Sequence, residues 1–172
     1  MIAFSLSPDD LAVAHAVGSA RNADKVRRGI STRKHAVADS DEHVHVLGAM
    51  AEIAVCRWLC APFNDSILPG GDGGTDLSWG GLTFDVKMRS GWGRDLLILP
   101  DMSDFRADIA VLCWPGKQFG KIVVVGLVSR ERFRVEARTD ILTNPPRLVM
   151  PWRELTGIQK ENDGLLCKWN RG

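Results

Sequence analysis

The sequence predicts a mixed α/β domain in which a central sheet carries helices packed on it. Two segments, starting near Ser7 and Ser40, have apolar residues at helical spacing and stop signals at their ends. Between 73 and 90, in GGTDLSWGGLTFDVKMRS, apolar and polar residues alternate around a glycine pair, the signature of a β-hairpin. The apolar runs at 95–99 (DLLIL), 108–114 (DIAVLCW) and 121–129 (KIVVVGLVS), the last two rich in β-branched residues, read as further strands.

The first helix opens at Ser7-Pro8-Asp9-Asp10. Ser7 is a capping residue, Pro8 suits the first turn, and the acids suit the positive end of the helix dipole. It is expected to run to about Arg28, with Gly29 as the stop. Its end and the loop beyond carry Arg21, Lys25, Arg27, Arg28, Arg33 and Lys34 against one acid, Asp24. This is either a solvated face or a patch that contacts phosphates. The second helix is predicted from Ser40-Asp41-Glu42 to near Cys60, ahead of Pro62. Val44, Leu47, Ala51, Val55, Trp58 and Leu59 form its stripe, and AMAEIAVCRWL is apolar almost all round, so it should be well buried. Glu52 interrupts that stretch and needs a partner, for which an arginine is the ordinary solution. His45 lies seven positions earlier on nearly the same line and is a candidate for lining a cleft.

Gly80-Gly81 reads as a two-residue turn. That turn pairs Trp79 with Leu82, Ser78 with Thr83, Leu77 with Phe84 and Asp76 with Asp85. Leu82, Phe84, Val86 and Met88 then form one face, and Thr83, Asp85, Lys87 and Arg89 the other. Two carboxylates directly opposite each other destabilise a sheet unless a cation or a shared proton compensates them. This pair is the first indication of a metal site. The preceding LPGGDGGTD loop is neither a P-loop nor a dinucleotide fingerprint, because no Gly-Lys-Ser/Thr and no helix follow it. Asp72, in that loop, is a rival first acid that lies beyond the regular hairpin. Downstream, 129–136 is expected to be a short helix, 147–150 an edge strand, 151–155 a turn or short helix, and 165–169 a last strand.

With 172 residues the chain is expected to be a single domain: a basic helical segment (1–38), a core (39–130) and a C-terminal helix and strand extension (131–172). Its net charge of +1 excludes a protein held to nucleic acid by overall charge and requires a local patch instead. Cys56, Cys60, Cys113 and Cys167 match no zinc pattern and read as free thiols. The N-terminus has no signal-peptide character, and no segment is long enough for a membrane span. An intracellular, reducing, cytoplasmic setting without a membrane partner is expected.

Asp76, then Asp85-Val86-Lys87, with Glu52 on the preceding helix, resembles the PD-(D/E)xK nuclease superfamily. That family places an acid at the end of one strand and an acid-x-lysine triplet on the next, often with a helical glutamate. The likeness covers roughly 40–129 and is nearest to small phage-type members and, more loosely, to Holliday-junction resolvases. Asp85-Val86-Lys87 is the one acid-x-lysine triplet in the chain. Thr75 stands where proline is usual, and Asp85 where glutamate is commoner.

The resemblance implies a restriction-endonuclease-like core with a central mixed sheet flanked by helices. The implied activity is a phage-type endonuclease using Mg²⁺ or Mn²⁺ to hydrolyse phosphodiester bonds, in DNA more than RNA, and acting as a homodimer in many relatives. Asp76 and Asp85 would bind the metal, joined by the Val86 carbonyl. Glu52 would hold a bound water or help bind a second ion. Lys87 would orient the attacking water and stabilise developing charge. Arg27, Arg28, Arg33, Lys34, Arg89 and Arg94 would contact the nucleic acid, and Trp92 would stack on a base or cap the core. Two other readings use the same residues: a non-catalytic nucleic-acid-binding module on this fold, and a structural or partner-binding protein of a mobile element.

Overall fold

The structure is a computed structural model that describes residues 1–29, 40–65, 74–89, 96–98, 102–142 and 144–157. Arg33, Lys34, Arg94, Trp92, Asp72 and the strand expected at 165–169 lie outside these residues.

A short strand, β1 (Ile2–Ser5), precedes helix α1 (Pro8–Arg27). The Ser7 hydroxyl accepts from the Asp10 N–H at 3.1 Å, and the Asp10 carboxylate accepts from the Ser7 N–H at 2.9 Å. This reciprocal cap fixes the start of the helix, an arrangement that contributes about 1 kcal/mol. Gly29, at φ +65°, ends the turn that follows α1. Helix α2 (Asp41–Leu59) starts at Ser40, whose hydroxyl accepts from the His43 N–H at 3.1 Å. It ends at Cys60 in the left-handed region.

The two helices run antiparallel. Asp10 meets Arg57 at 2.6 Å, and the Ser19 hydroxyl donates to Glu42 at 2.5 Å. They approach closely at Gly18, where an added Cβ would lie 2.6 Å from the Val46 backbone.

The main sheet has the order β1-β6-β5-β3-β2, formed by β2 (Leu77–Trp79), β3 (Leu82–Met88), β5 (Ile109–Pro115) and β6 (Lys121–Ser129). β9 (Thr156–Gly157) pairs with β6 beside this path. β3 and β5 are parallel and the other pairs antiparallel, so the sheet is mixed, as expected. A second, antiparallel sheet of β4 (Leu96–Ile98), β8 (Arg147–Met150) and β7 (Arg138–Asp140) takes the strand expected at 95–99 away from the main sheet.

Two cores lie on opposite faces of the main sheet. Phe84, Val111, Cys113, Ile122 and Val124 pack against α1 and α2. Ala110, Leu112, Trp114, Val123 and Val125 pack with Phe133 of helix α3 (Arg130–Glu136), Phe105 and Met150. Phe105 and Phe133 meet edge to face at 5.6 Å. Helices therefore flank the sheet on both sides.

Cys56 and Cys113 are free and buried. Cys60 is disulfide-bonded, which departs from the uniformly reduced cysteines expected from sequence. Among the described residues no helix is long and apolar enough to cross a membrane.

Gly18→Ala is expected to destabilise the protein by roughly 1–3 kcal/mol, because its Cβ would meet backbone that cannot yield cheaply. Gly48→Ala, in the other helix with open space at its Cβ, is expected to stabilise it by up to about 1 kcal/mol. Urea denaturation of both variants checks the pair, and equal midpoints would contradict the packing.

Candidate metal and nucleic-acid site

Alternation along β3 sorts its residues between the two cores. Phe84, Val86 and Met88 join the core beneath α2. Asp85 and Lys87 are register partners of Ala110 and Leu112, which belong to the opposite core. The acid and the lysine therefore share a face, as the sequence predicts, and that face points away from α2. The Lys87 ammonium lies 2.8 Å from Asp85 Oδ2. Asp85 is 3% exposed, whereas the Lys87 side chain retains 35% exposure.

Asp76 does not stand opposite Asp85 in the ladder. Regular pairing begins with Leu77 and Phe84. The Asp76 N–H donates to the Phe84 carbonyl at 2.8 Å, and its carboxylate accepts from the Val86 N–H at 2.5 Å. The physical reason is the one that made the predicted register costly. Two carboxylates face to face repel, and the chain departs from the ladder so that one of them takes a backbone donor instead. The Asp76 carboxylate now abuts the Asp85–Val86 peptide.

In a strand, the N–H and C=O of one residue point to the same neighbour. The Val86 carbonyl therefore points to the edge where Asp76 sits. Among the described residues no strand pairs with 85–88 on that side.

Glu52 stands on α2, whereas Asp85 is on the β3 face turned to the opposite core. Glu52 is buried and accepts both forks of Arg21, at 2.6 and 2.8 Å. Cys56, one turn along α2, links it electrostatically to the strand edge. Its thiol is pushed up to about 12 by burial first and then by the charges of Glu52 and Asp76. Burial, with the charge of Asp76, also raises the thiol of Cys113.

Among the described residues no three His, Cys, Asp or Glu side chains form a metal-holding group. The oxygen donors that fit a hard divalent ion thus reduce to Asp76, Asp85 and the Val86 carbonyl. That set still suits Mg²⁺, which commonly takes one or two carboxylates and keeps several waters.

The basic residues fare unevenly. Arg27 and Arg28 are exposed at the end of α1, and both pair with Asp24. These hydrogen bonds, Arg27's first, hold the Asp24 carboxyl below the usual range. Arg89 is only 8% exposed, and its N–H donates to the Cys113 carbonyl at 3.0 Å, so it prolongs the β3 ladder. Arg89 was expected in a loop contacting nucleic acid; its burial makes it part of the fold instead.

The sequence places Arg21 only within a basic run; in the structure it is the partner of Glu52. Its signal was the buried stripe of α1, Asp10, Ala14, Val17 and Gly18, which it continues at helical spacing.

Comparison with protein-family models, with curated proteins and with solved structures finds no match for this chain.

His45 is half-buried, and its imidazole is lowered to about 4 by burial first and then by the charges of Lys25 and Arg21. Between about pH 6.5 and 4 the unfolded chain therefore binds a proton that the folded chain does not. Stability contributed through His45 is present above 6.5 and falls as pH drops towards 4. The urea midpoint is expected to decrease over that window and to decrease less in His45→Gln. A steeper loss in the variant would contradict the assignment.

Proposed function

We propose that the chain is a metal-dependent endonuclease of the PD-(D/E)xK type, hydrolysing phosphodiester bonds in DNA in preference to RNA. One observation carries the reading. A buried Asp85 is paired with Lys87 on one strand face, beside an Asp76 carboxylate that abuts the Asp85–Val86 peptide. The elements also follow the order that the resemblance calls for: a helix with a glutamate, a strand preceded by an acid, the acid-x-lysine strand, then further apolar strands. On this reading the mixed sheet with helices on both faces is a restriction-endonuclease-like core.

Asp76 and Asp85, with the Val86 carbonyl, would hold Mg²⁺ or Mn²⁺. The bound ion supplies Lewis-acid stabilisation of phosphoryl charge and lowers the pKa of water. Lys87 keeps its ammonium beside Asp85 and is solvent-accessible, so it can turn towards an incoming water or a developing negative charge. Glu52 supports the site indirectly, by fixing Arg21 on the helix pair. Many relatives of this type act as dimers, and two cuts in a duplex would need two such sites.

A second reading, a nucleic-acid-binding module without catalysis, is favoured by one feature. Asp85 and Glu52 are each already matched by a cation of the chain.

Cleavage of supercoiled plasmid and of a labelled four-way junction, with Mg²⁺, Mn²⁺ or EDTA, separates the two. Metal-dependent cutting is expected, reduced about 100-fold or more in Asp76→Asn, Asp85→Asn and Lys87→Ala variants whose circular dichroism is unchanged. Binding without cutting in any metal would replace the nuclease reading with the module.

A further inference from the structure

We infer that the tip of the β5–β6 hairpin and the cavity beside it form a site for one unpaired base of a single-stranded stretch of nucleic acid. The inference deepens the nucleic-acid reading above and rests on it.

The hairpin tip is fixed by its own backbone and by its neighbours. The Gly116 N–H donates to the Lys121 carbonyl at 2.6 Å, and the Lys121 N–H donates to the Gln118 carbonyl at 3.1 Å. Gly120, at φ +81°, closes the turn, and its carbonyl accepts from the Leu6 N–H at 2.9 Å. A Cβ at Gly120 would stand 3.3 Å from Leu11, so the tip is seated on the start of α1. Held in this way, the turn presents Phe119 outward, and that residue is 74% exposed.

Beside it lies a cavity of about 280 Å³ between the turn and α2. Leu47, Met50 and Ile122 line it with apolar surface, Phe119 adds an aromatic wall, and His43 and Gln118 add polar groups. Pockets for drug-sized molecules begin at about 300 Å³, so this one has room for a single ring system. Unstacked bases are held by such a combination: their faces stack on an aromatic ring, and their edges take hydrogen bonds. The Gln118 amide and the His43 imidazole each offer a donor and an acceptor. Among the described residues neither side chain has a hydrogen-bond partner.

Charge favours a nucleic-acid strand over a neutral apolar ligand. Lys117 and Lys121 flank Phe119 in the chain, both are exposed, and no acid lies between 115 and 121. Among the described residues neither lysine forms an ion pair. Asp41 and Glu42 precede His43 at the start of α2, and Glu42 is engaged by the Ser19 hydroxyl of α1. In a duplex both faces of a base are covered by its neighbours, so an unpaired base is the form that fits.

The position also fits. β3 and β5 run parallel and end on the same side of the sheet. Pro115, where the turn begins, lies roughly 10 Å along β5 from Leu112, the register partner of Lys87. The cavity and the Lys87 ammonium therefore belong to one end of the sheet, on its two faces.

The test is binding of a labelled oligothymidylate, and of a duplex of equal length, in EDTA so that cleavage plays no part. Phe119→Leu changes an exposed side chain and should fold. It is expected to weaken single-strand binding about tenfold and to leave duplex binding unaltered. Phe119→Tyr keeps a stacking ring and should keep the affinity. Lys117→Gln should reduce the slope of log affinity against log salt by roughly 0.7. In the wild type the oligothymidylate should shift the methyl resonance of Met50, and Phe119→Leu should diminish that shift. Wild-type affinity in Phe119→Leu, equal losses in the Leu and Tyr variants, or a Met50 methyl indifferent to the oligonucleotide would overturn the site. A wild-type dimer that Phe119→Leu dissociates, with single-strand affinity intact, would also overturn it and assign the surface to a second copy of the chain. If Phe119→Leu loses single-strand binding but no metal yields cutting, the base site stands and the nuclease reading falls. If the wild type cuts DNA and single-strand binding is indifferent to Phe119, the reverse holds.

Discussion

The parallel pairing of β3 with β5 is the constraint on which the rest of this molecule depends. No tight turn can join parallel strands, so their register must be fixed by other means. Here Asp108 does it. Its carboxylate accepts from the Thr83 N–H at 2.8 Å and from the Thr83 hydroxyl at 2.7 Å, while its own N–H donates to that hydroxyl at 2.9 Å. The hydrogen bonds from Thr83 hold the Asp108 carboxyl below its usual range. The Asp108 carbonyl also accepts from the Arg130 N–H at 2.8 Å, tying the start of α3 to the same point. A slip of one residue would turn Phe84, Val86 and Met88 away from α2 and turn Asp85 and Lys87 into the core beneath it. The side on which the acid-x-lysine pair stands is thus decided two residues before it.

Burying two carboxylates on opposite faces of one sheet requires two cations, and the chain uses different ones. Glu52 has an arginine, 31 residues away on another helix, and both partners are largely shielded. Asp85 has a lysine two residues away, which keeps a third of its side chain in solvent. The difference matters physically. An arginine fork locked onto a carboxylate gives direction and permanence, whereas a lysine is a point charge on a flexible stem that can leave one partner for another. Desolvation makes removing either cation expensive for the acid left behind. The helix side of the sheet therefore has the fixed pair, and the opposite face the exchangeable one.

Much of this was legible in the sequence, because it is written in short-range pattern. The capping residues and apolar stripes located both long helices, and Gly80-Gly81 gave the turn and three rungs of the hairpin correctly. β1 escaped because four residues ahead of a helix carry too little alternation to read. The assignment of 96–98 to a second sheet escaped because an apolar run says that a strand is buried, not which neighbour buries it. The fourth rung failed for an electrostatic reason: turn geometry predicts ideal pairing and takes no account of repulsion between the carboxylates it brings together. Glu52 announced its need for a partner, but the choice of Arg21 depends on how two helices cross, which no periodicity encodes. Arg89 reads as polar from its place in the alternation and is buried by tertiary packing.

Cys56 completes the electrostatic design of the region. After burial itself, two carboxylates raise its thiol, Glu52 on its own helix and Asp76 at the strand edge. A negative charge there would be repelled by both. A thiol held up at about 12 is neutral at any ordinary pH, so it packs as a small hydrophobe and adds no charge to the region. Glu52 accepts from Arg21, and Asp76 accepts from the Val86 N–H.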